Sequence, residues 1–490
     1  MAAADGTSGL GATKTLEDIP SFGTMRQRFH DMRYDRIGAM RRFLDERGDI
    51  ARLPLLGFGV VIANTPTLLH DVLVTRARSF EKSPVMRSAL YPLVGEGLFT
   101  SEGELWRKQR KVMAPLFQPS SIAHFGEAMT TSAERSALTW KTGDTLDIAR
   151  ETTRIAMAIA GQTLFDVDMW GESDELGAAL TTALDWAGEE SASFALVMQS
   201  RLRLGLEATA DRVPSSAGAS LRKLAKRIEP PVLWPGERSR KLKSALSVLE
   251  RRVARMIAER RDDAATTRTR RDLLTLLLSA RDEDGSGMSD RQVRDEVLTL
   301  FVAGHETTAN ALAWSLTLLA QHPEIYARVR AEVDALGRVP TSADLPKLAL
   351  CLRVFKEAMR LYPPVYMFGR VAIADVDVGP YRLPRGTIVL ACPWALHRRP
   401  DEYPHPERFD PERWLPEEEA KRPKTSFLPF SAGPRTCIGN YFALMEGPLV
   451  LATLLHHADF SLASTRPIEP EPSATLRPKN GVPMTITRRT

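Results

Sequence analysis

Cysteine is scarce: three residues in a chain of 490, an odd number that argues against a disulfide framework and suits a reducing compartment. Long apolar runs are also missing. Met1 to Pro20 is small and polar, with neither the apolar core of a signal peptide nor a stretch able to cross a bilayer. The expectation is a soluble, cytoplasmic protein without a transmembrane anchor. No basic motif interleaved with aromatics occurs and the formal charge is only +5, so nucleic acid is not expected as a partner. No internal repeat is present. What the chain does have is 43% hydrophobic residues, enough for one large core or two ordinary ones.

Two of the cysteines, Cys351 and Cys392, read as small buried hydrophobes. Cys437 has different neighbours. In Phe430-Ser-Ala-Gly433-Pro-Arg435-Thr-Cys437-Ile-Gly439, the two glycines let the backbone turn tightly and approach a flat ligand. A helix is predicted from Tyr441, so its free N–H groups would favour a thiolate at Cys437. Arg435 offers a charged fork for a carboxylate, and Phe430 can shield the sulfur from water.

This stretch resembles the haem-binding signature of the cytochrome P-450 family, Phe-x-x-Gly-x-Arg-x-Cys-x-Gly, with all five fixed positions present. The resemblance implies haem b, protoporphyrin IX iron, with the Cys437 thiolate as metal ligand and Arg435 at a propionate. It also implies the family fold, mainly α with small β-sheets, with the haem between a long central helix and the cysteine loop.

Ser289 and Gln292 form a predicted capping box, and apolar periodicity then runs to the stop at His322-Pro323. That gives a helix of about thirty residues, roughly 45 Å long. Its middle, Ala303-Gly304-His305-Glu306-Thr307-Thr308, is poor in helix formers, and weakness inside a core helix marks a site. Ala303 and Gly304 leave room for a ligand, Thr307 can hydrogen-bond, and Glu306 can carry protons. The pattern is similar to the family's oxygen-binding groove, which implies Thr307 as the hydroxyl at the site of oxygen activation and Glu306 as the acid. His305 has no second ligand at helix spacing and is not read as a metal ligand.

Trp106 and Arg110 are four apart and share a helix face. Their spacing matches the family's Trp-x-x-x-Arg, which implies contact with a haem propionate, and Arg370 follows two prolines where relatives direct another arginine to the haem. Glu357 and Arg360, three apart, match the family's Glu-x-x-Arg, a buried pair joined by an arginine from a later loop. Arg413 is the choice for that arginine and Arg408 the alternative. These three residues are assigned to folding and haem retention.

Elsewhere residues 1–30 are expected to be flexible and 31–490 to form one domain without a fused reductase. Tyr34 to Arg47 reads as one helix, Ile50 to Asn64 as two strands around Gly57-Phe-Gly59, and Ser79 to Ser101 as a long loop. Helices fill Ser120 to Arg260, broken near Gly143, Pro214 and Pro230 to Gly236. They carry a basic cluster, Arg222 to Lys243, whose readings are a solvated face or contact with acidic substrates or a membrane surface. Asp262 to Arg271 reads as a flexible connection and Asp344 to Leu361 as an amphipathic helix. A kink is expected at Gly447-Pro448, and a hairpin of the last two strands at Asn480-Gly481. By resemblance the function is monooxygenation of an apolar small molecule such as a fatty acid or terpenoid. O2 is the co-substrate, electrons come from a separate ferredoxin and its reductase, and the protein is a monomer. The competing readings are a haem-thiolate peroxygenase or isomerase, and a non-catalytic haem sensor.

Overall fold

The computed structural model describes residues 13–53, 59–228, 230–233, 235–262, 272–281 and 287–489. Its axis is the helix Asp290–Gln321, 32 residues long. The capping box forms as read: Ser289 accepts from the Gln292 N–H, and Gln292 Oε1 accepts from the Ser289 N–H at 2.9 Å. Leu298, Leu312, Ala313, Leu316 and Leu319 of this helix are wholly buried. The helices Ile148–Phe165, Glu237–Asp262, Ala349–Leu361 and Asn440–His457 pack around it, so the weak central sequence is held by tertiary contact rather than by propensity.

The largest sheet has five strands in the spatial order Ile50–Arg52, Val60–Ala63, Ile388–Ala391, Phe368–Ala372, Phe80–Lys82. Val60–Ala63 and Ile388–Ala391 run parallel although they lie far apart in sequence. The architecture is therefore mainly helical with small sheets, as expected. Gly57 and Phe58 lie outside the described residues, as does the connection expected after Asp262 up to Arg271.

Several expectations are corrected. The described part of the N-terminal segment is tied to the domain, because Lys14–Thr15 pairs in parallel with Tyr381–Leu383 and Met25–Tyr34 is helical. The helix read over Tyr34 to Arg47 does form, as Arg36–Glu46, and Asp35 separates it from the preceding one by leaving helical dihedrals and accepting from the Gly38 N–H. Ser79 to Ser101 is not a loop: it holds the strand Phe80–Lys82 and the helix Pro84–Val94. Pro84 sits in the first turn, where its missing N–H costs nothing, and Gly95 ends the helix at φ 52°. The stretch from Asp344 divides into a 3-10 turn, Ser342–Lys347, and the helix Ala349–Leu361, because Pro346 cannot continue the first into the second.

Asn480 and Gly481 do adopt positive φ, but the strands beside them do not pair with each other. Leu476–Pro478 returns to Pro470–Pro472, while Pro483–Arg488 joins Ala458–Leu462 and Thr145–Asp147. Asp147, accepting from the Val482 N–H at 2.8 Å, directs the chain to that other sheet. Asn440–His457 runs as one helix through Gly447 and Pro448. The glycine serves packing, since a Cβ there would lie 2.6 Å from the Phe355 ring.

Candidate active site

The cysteine loop is shaped by Gly433. Its φ is 69°, and a Cβ on it would run into the Leu73 carbonyl, so no other residue fits. Beyond it a 3-10 turn, Gly433–Arg435, brings the chain round until the Cys437 N–H donates to the Phe430 carbonyl at 2.9 Å. The helix Asn440–His457 then begins. At Gly439 a Cβ would meet only Phe117, at 4.0 Å, so this glycine faces open space.

Cys437 itself is solvent-accessible, whereas Cys351 and Cys392 are buried as read. It is nonetheless surrounded by protein, and burial pushes its thiol up while the Gly439 N–H and the Arg110 charge pull it down. The two facts agree if the sulfur lines an internal cleft.

Trp106 and Arg110 share a face of the helix Gly103–Met113, as read, and cations gather around that ring. The Arg435 guanidinium lies 4.3 Å from its centroid, Arg110 5.8 Å and Lys82 5.9 Å. Glu102 pairs with Arg435 and lies 4.0 Å from Lys82. Arg370, on the strand Phe368–Ala372, reaches the Ser431 hydroxyl at 3.4 Å. The crowding is visible in the charges. Burial, then repulsion from Arg435, pushes Arg370 down to about 10, and burial pushes Lys82 down to about 7 despite Glu102. Arg435 Nη1 has no hydrogen-bond partner. A site with this surplus of positive charge is incomplete without anions, and the two propionates of a haem would supply them. Lys82 and Glu102 were not legible as site residues. They reach the ring through tertiary folding, and only the position of Glu102 immediately before the Trp106 helix could have pointed to it.

On the central helix Ala303 is exposed between the half-buried Val302 and Gly304, while Phe301 and His305 are buried, which marks a gap in the core. Gly304 turns away from such a gap: a Cβ on it would touch Leu164 and Ala160 at 3.7 and 3.8 Å, so it serves approach of the helix Ile148–Phe165 rather than ligand space. Thr307 Oγ1 donates to the Ala303 carbonyl at 2.8 Å. Glu306 does not meet Thr307. Its Oε1 accepts from Thr475 Oγ1 at 2.9 Å, and that hydroxyl accepts from Asn310 Nδ2 at 3.2 Å. Oε2 is buried without a partner, and burial pushes the carboxyl up to about 7. His305 is buried with Nδ1 2.8 Å from the Phe301 carbonyl, and its imidazole is pushed down to about 4.

The frame is built on Glu357 and Arg360, both fully buried. Arg360 Nε and Nη2 donate to the two Glu357 oxygens at 2.8 Å each. The same carboxylate takes the Asp410 N–H and Trp414 Nε1–H, both at 2.9 Å, while Arg413 Nε stands at 3.5 Å. Arg408 contributes its carbonyl to Arg360, not its guanidinium.

The cytochrome P450 family model matches residues 15–484. The chain belongs to the cytochrome P450 family. Over 445 residues it is 32% identical to cyclooctatin synthase of Streptomyces melanosporofaciens, covering 90% of this chain and 88% of that one. It is 31% identical to pentalenene oxygenase of Streptomyces avermitilis, covering 91% and 92%. Among solved structures, the haem domain of cytochrome P450DA superposes with a TM-score of 0.78 at 25% identity, covering 96% of this chain and 98% of that one. This P450 is thus a haem-dependent monooxygenase, an oxidoreductase. No helix among the described residues is long and apolar enough to cross a membrane.

Proposed function

We propose that this P450 inserts one atom of O2 into a C–H or C=C bond of a terpenoid, with Cys437 as the iron ligand. The full-length similarity to cyclooctatin synthase and pentalenene oxygenase carries the substrate class. The haem supplies the oxygen-activating chemistry when bound, and its thiolate ligand favours O–O cleavage. What supports Cys437 is its accessibility on a loop that Gly433 turns against Leu73 and Gly439 leaves open, beside Arg435 and Arg110.

The remaining work falls to side chains of this chain. Arg110, Arg370, Arg435 and Lys82 would hold the propionates, with Trp106 among their cations. Glu306 takes and gives a proton at Oε2 while Oε1 stays on the Thr475 hydroxyl, and a carboxyl poised near 7 does both at neutral pH. Thr307 adds a hydroxyl beside the exposed Ala303. Electrons come from a ferredoxin and its reductase. Exposed Arg107, Lys108 and Lys111, on the helix that carries Trp106, suit an acidic carrier.

The test begins with the carbon monoxide difference spectrum of the reduced protein, wild type and Cys437→Ser. A strongly red-shifted Soret band lost in the variant supports thiolate ligation, and a wild-type band typical of histidine-ligated haem refutes it. Titration with a terpenoid panel, following displacement of iron-bound water, then turnover with surrogate ferredoxin, tests the rest. Turnover with peroxide alone and none with O2 and reductant would establish the peroxygenase reading instead.

A further inference from the structure

His397 is wholly buried and has no part in the chemistry above. It follows the short helix Pro393–Leu396, and both nitrogens of its ring are engaged. The Leu428 N–H donates to Nε2 at 2.9 Å, so Nε2 carries no proton. The proton is therefore on Nδ1, which donates to the Arg360 carbonyl at 3.3 Å. Arg360 Nη1 donates in turn to the His397 carbonyl at 2.9 Å. Burial, then the Arg360 charge, pushes the imidazole down to about 3, so it stays neutral and this tautomer persists at every physiological pH.

The two bonds of this ring reach different parts of the site. Arg360 belongs to the frame with Glu357, whereas Leu428 leads into the cysteine loop. The Leu428 carbonyl accepts from the Ser431 N–H at 3.2 Å, closing a turn in which Ser431 takes φ 58°. Inside that turn lies Phe430, whose carbonyl accepts from the Cys437 N–H at 2.9 Å. A fixed Leu428 N–H thus fixes the turn, the Phe430 carbonyl and, through it, the Cys437 backbone. Phe427 adds a second grip, its ring 5.1 Å from His397 and 4.3 Å from Trp414. Ring contacts tolerate sliding, however, while a hydrogen bond weakens steeply when its angle opens. The register of the loop therefore depends on the imidazole.

We propose, resting on Cys437 as the iron ligand, that His397 is a positioning residue for its thiolate, tying the cysteine loop to the Glu357–Arg360 frame through the Leu428 N–H. Leu428 is 1% exposed, so loss of the acceptor leaves its N–H buried without a partner. The turn then leaves its place to find one, and Cys437 moves with it. Loss of the Nδ1 donor matters less. The Arg360 carbonyl gives up one long bond, while the guanidinium keeps Glu357 and the carbonyls of Pro406 and Arg408. Two amide side chains separate these bonds. Glutamine sets Oε1 where Nε2 stands and can still accept from Leu428, whereas asparagine sets Nδ2 where Nδ1 stands and can still donate to Arg360.

The test compares haem-loaded wild type with His397→Leu, His397→Gln and His397→Asn by two readouts. One is deuterium exchange of the backbone amides of residues 427–431. The other is the lifetime of the strongly red-shifted Soret band of the reduced protein under carbon monoxide, per haem bound. In His397→Leu the Leu428 amide should exchange about tenfold faster or more, and the band should decay about tenfold sooner. His397→Gln should bring both back to within about threefold of wild type, and His397→Asn should behave like His397→Leu. Rescue by asparagine rather than glutamine overturns the proposal, because the ring would then act through Arg360 alone. Equal behaviour of the three variants, equal loss of haem included, overturns it too, as does a His397→Leu protein that matches wild type. Faster exchange with an unchanged band refutes the link from Leu428 to Cys437. A wild type without the red-shifted band brings down Cys437 as the ligand, and the proposal with it, even where exchange follows the expected order of variants.

Discussion

Replacing Glu357 with alanine should cost this P450 its haem before it costs anything else. The carboxylate is fully buried and accepts from Arg360, the Asp410 N–H and Trp414 Nε1–H. Alanine leaves Arg360 charged in the interior without its counter-ion, a loss of about 3–5 kcal/mol. It also strips the Asp410 and Trp414 donors of their acceptor, at ~1–3 kcal/mol each. The sum, roughly 5–10 kcal/mol, is comparable to the whole stability of an ordinary domain. With an unfolding entropy of ~2.1 cal/mol/K per residue, a chain of this length loses about 1 °C of thermal midpoint per kcal/mol. The expected shift is therefore about 5–10 °C downward, accompanied by a fall in haem per polypeptide. The assay is the Soret absorbance per protein after purification, together with thermal melting followed by circular dichroism. Trp414→Phe, which removes one donor only, should fall by a smaller step of about 1–2 °C. A Glu357→Ala protein with wild-type haem content and an unshifted midpoint would refute the reasoning, because a buried guanidinium would then be stable without its carboxylate.

Three other outcomes follow from the site. Glu306→Gln should retain haem and the substrate-induced spectral shift but lower product per electron consumed by about tenfold or more, and the wild-type rate should fall as pH rises through about 7, where the carboxyl loses its proton. Glu446 is fully buried and pushed up to about 8 by burial, so the folded state holds a proton that the unfolded state has lost. Its share of stability is greatest below the usual carboxylate range and is lost as pH rises toward 8, at up to about 1.4 kcal/mol per pH unit; in melts between pH 5 and 8, Glu446→Gln should show the shallower decline. Gly447→Ala puts a methyl 2.6 Å from the Phe355 ring, and a fall in thermal midpoint of about 1–3 °C should follow.

What could be read in advance has a common physical character: it is local. The Ser289 capping box, the shared face of Trp106 and Arg110, and the pairing of Glu357 with Arg360 depend on residues three or four apart, and each forms as read. The cysteine loop was legible because Gly433 has to be glycine where it passes Leu73. Strand pairing was less so. Turn chemistry at Asn480-Gly481 gave the dihedrals correctly but could not tell that each flanking strand has a better partner elsewhere.

The site's polar partners show the same boundary more sharply. Glu306 and Thr307 are neighbours in sequence, yet consecutive helical residues point about 100° apart and do not face each other. Its partner is Thr475, 169 residues away, on a turn whose own sequence carries no chemical signal. Glu446 likewise sits in the apolar part of the helix after Cys437, its two oxygens buried without a hydrogen-bond partner and the Thr308 hydroxyl of the central helix lowering its carboxyl only part of the way. Both acids are thus set by groups that only the folded chain brings near. Burial raises each carboxyl, and the Thr475 and Thr308 hydroxyls pull it back part of the way. The motif says which residue carries the proton; the tertiary partner decides at what pH it lets go.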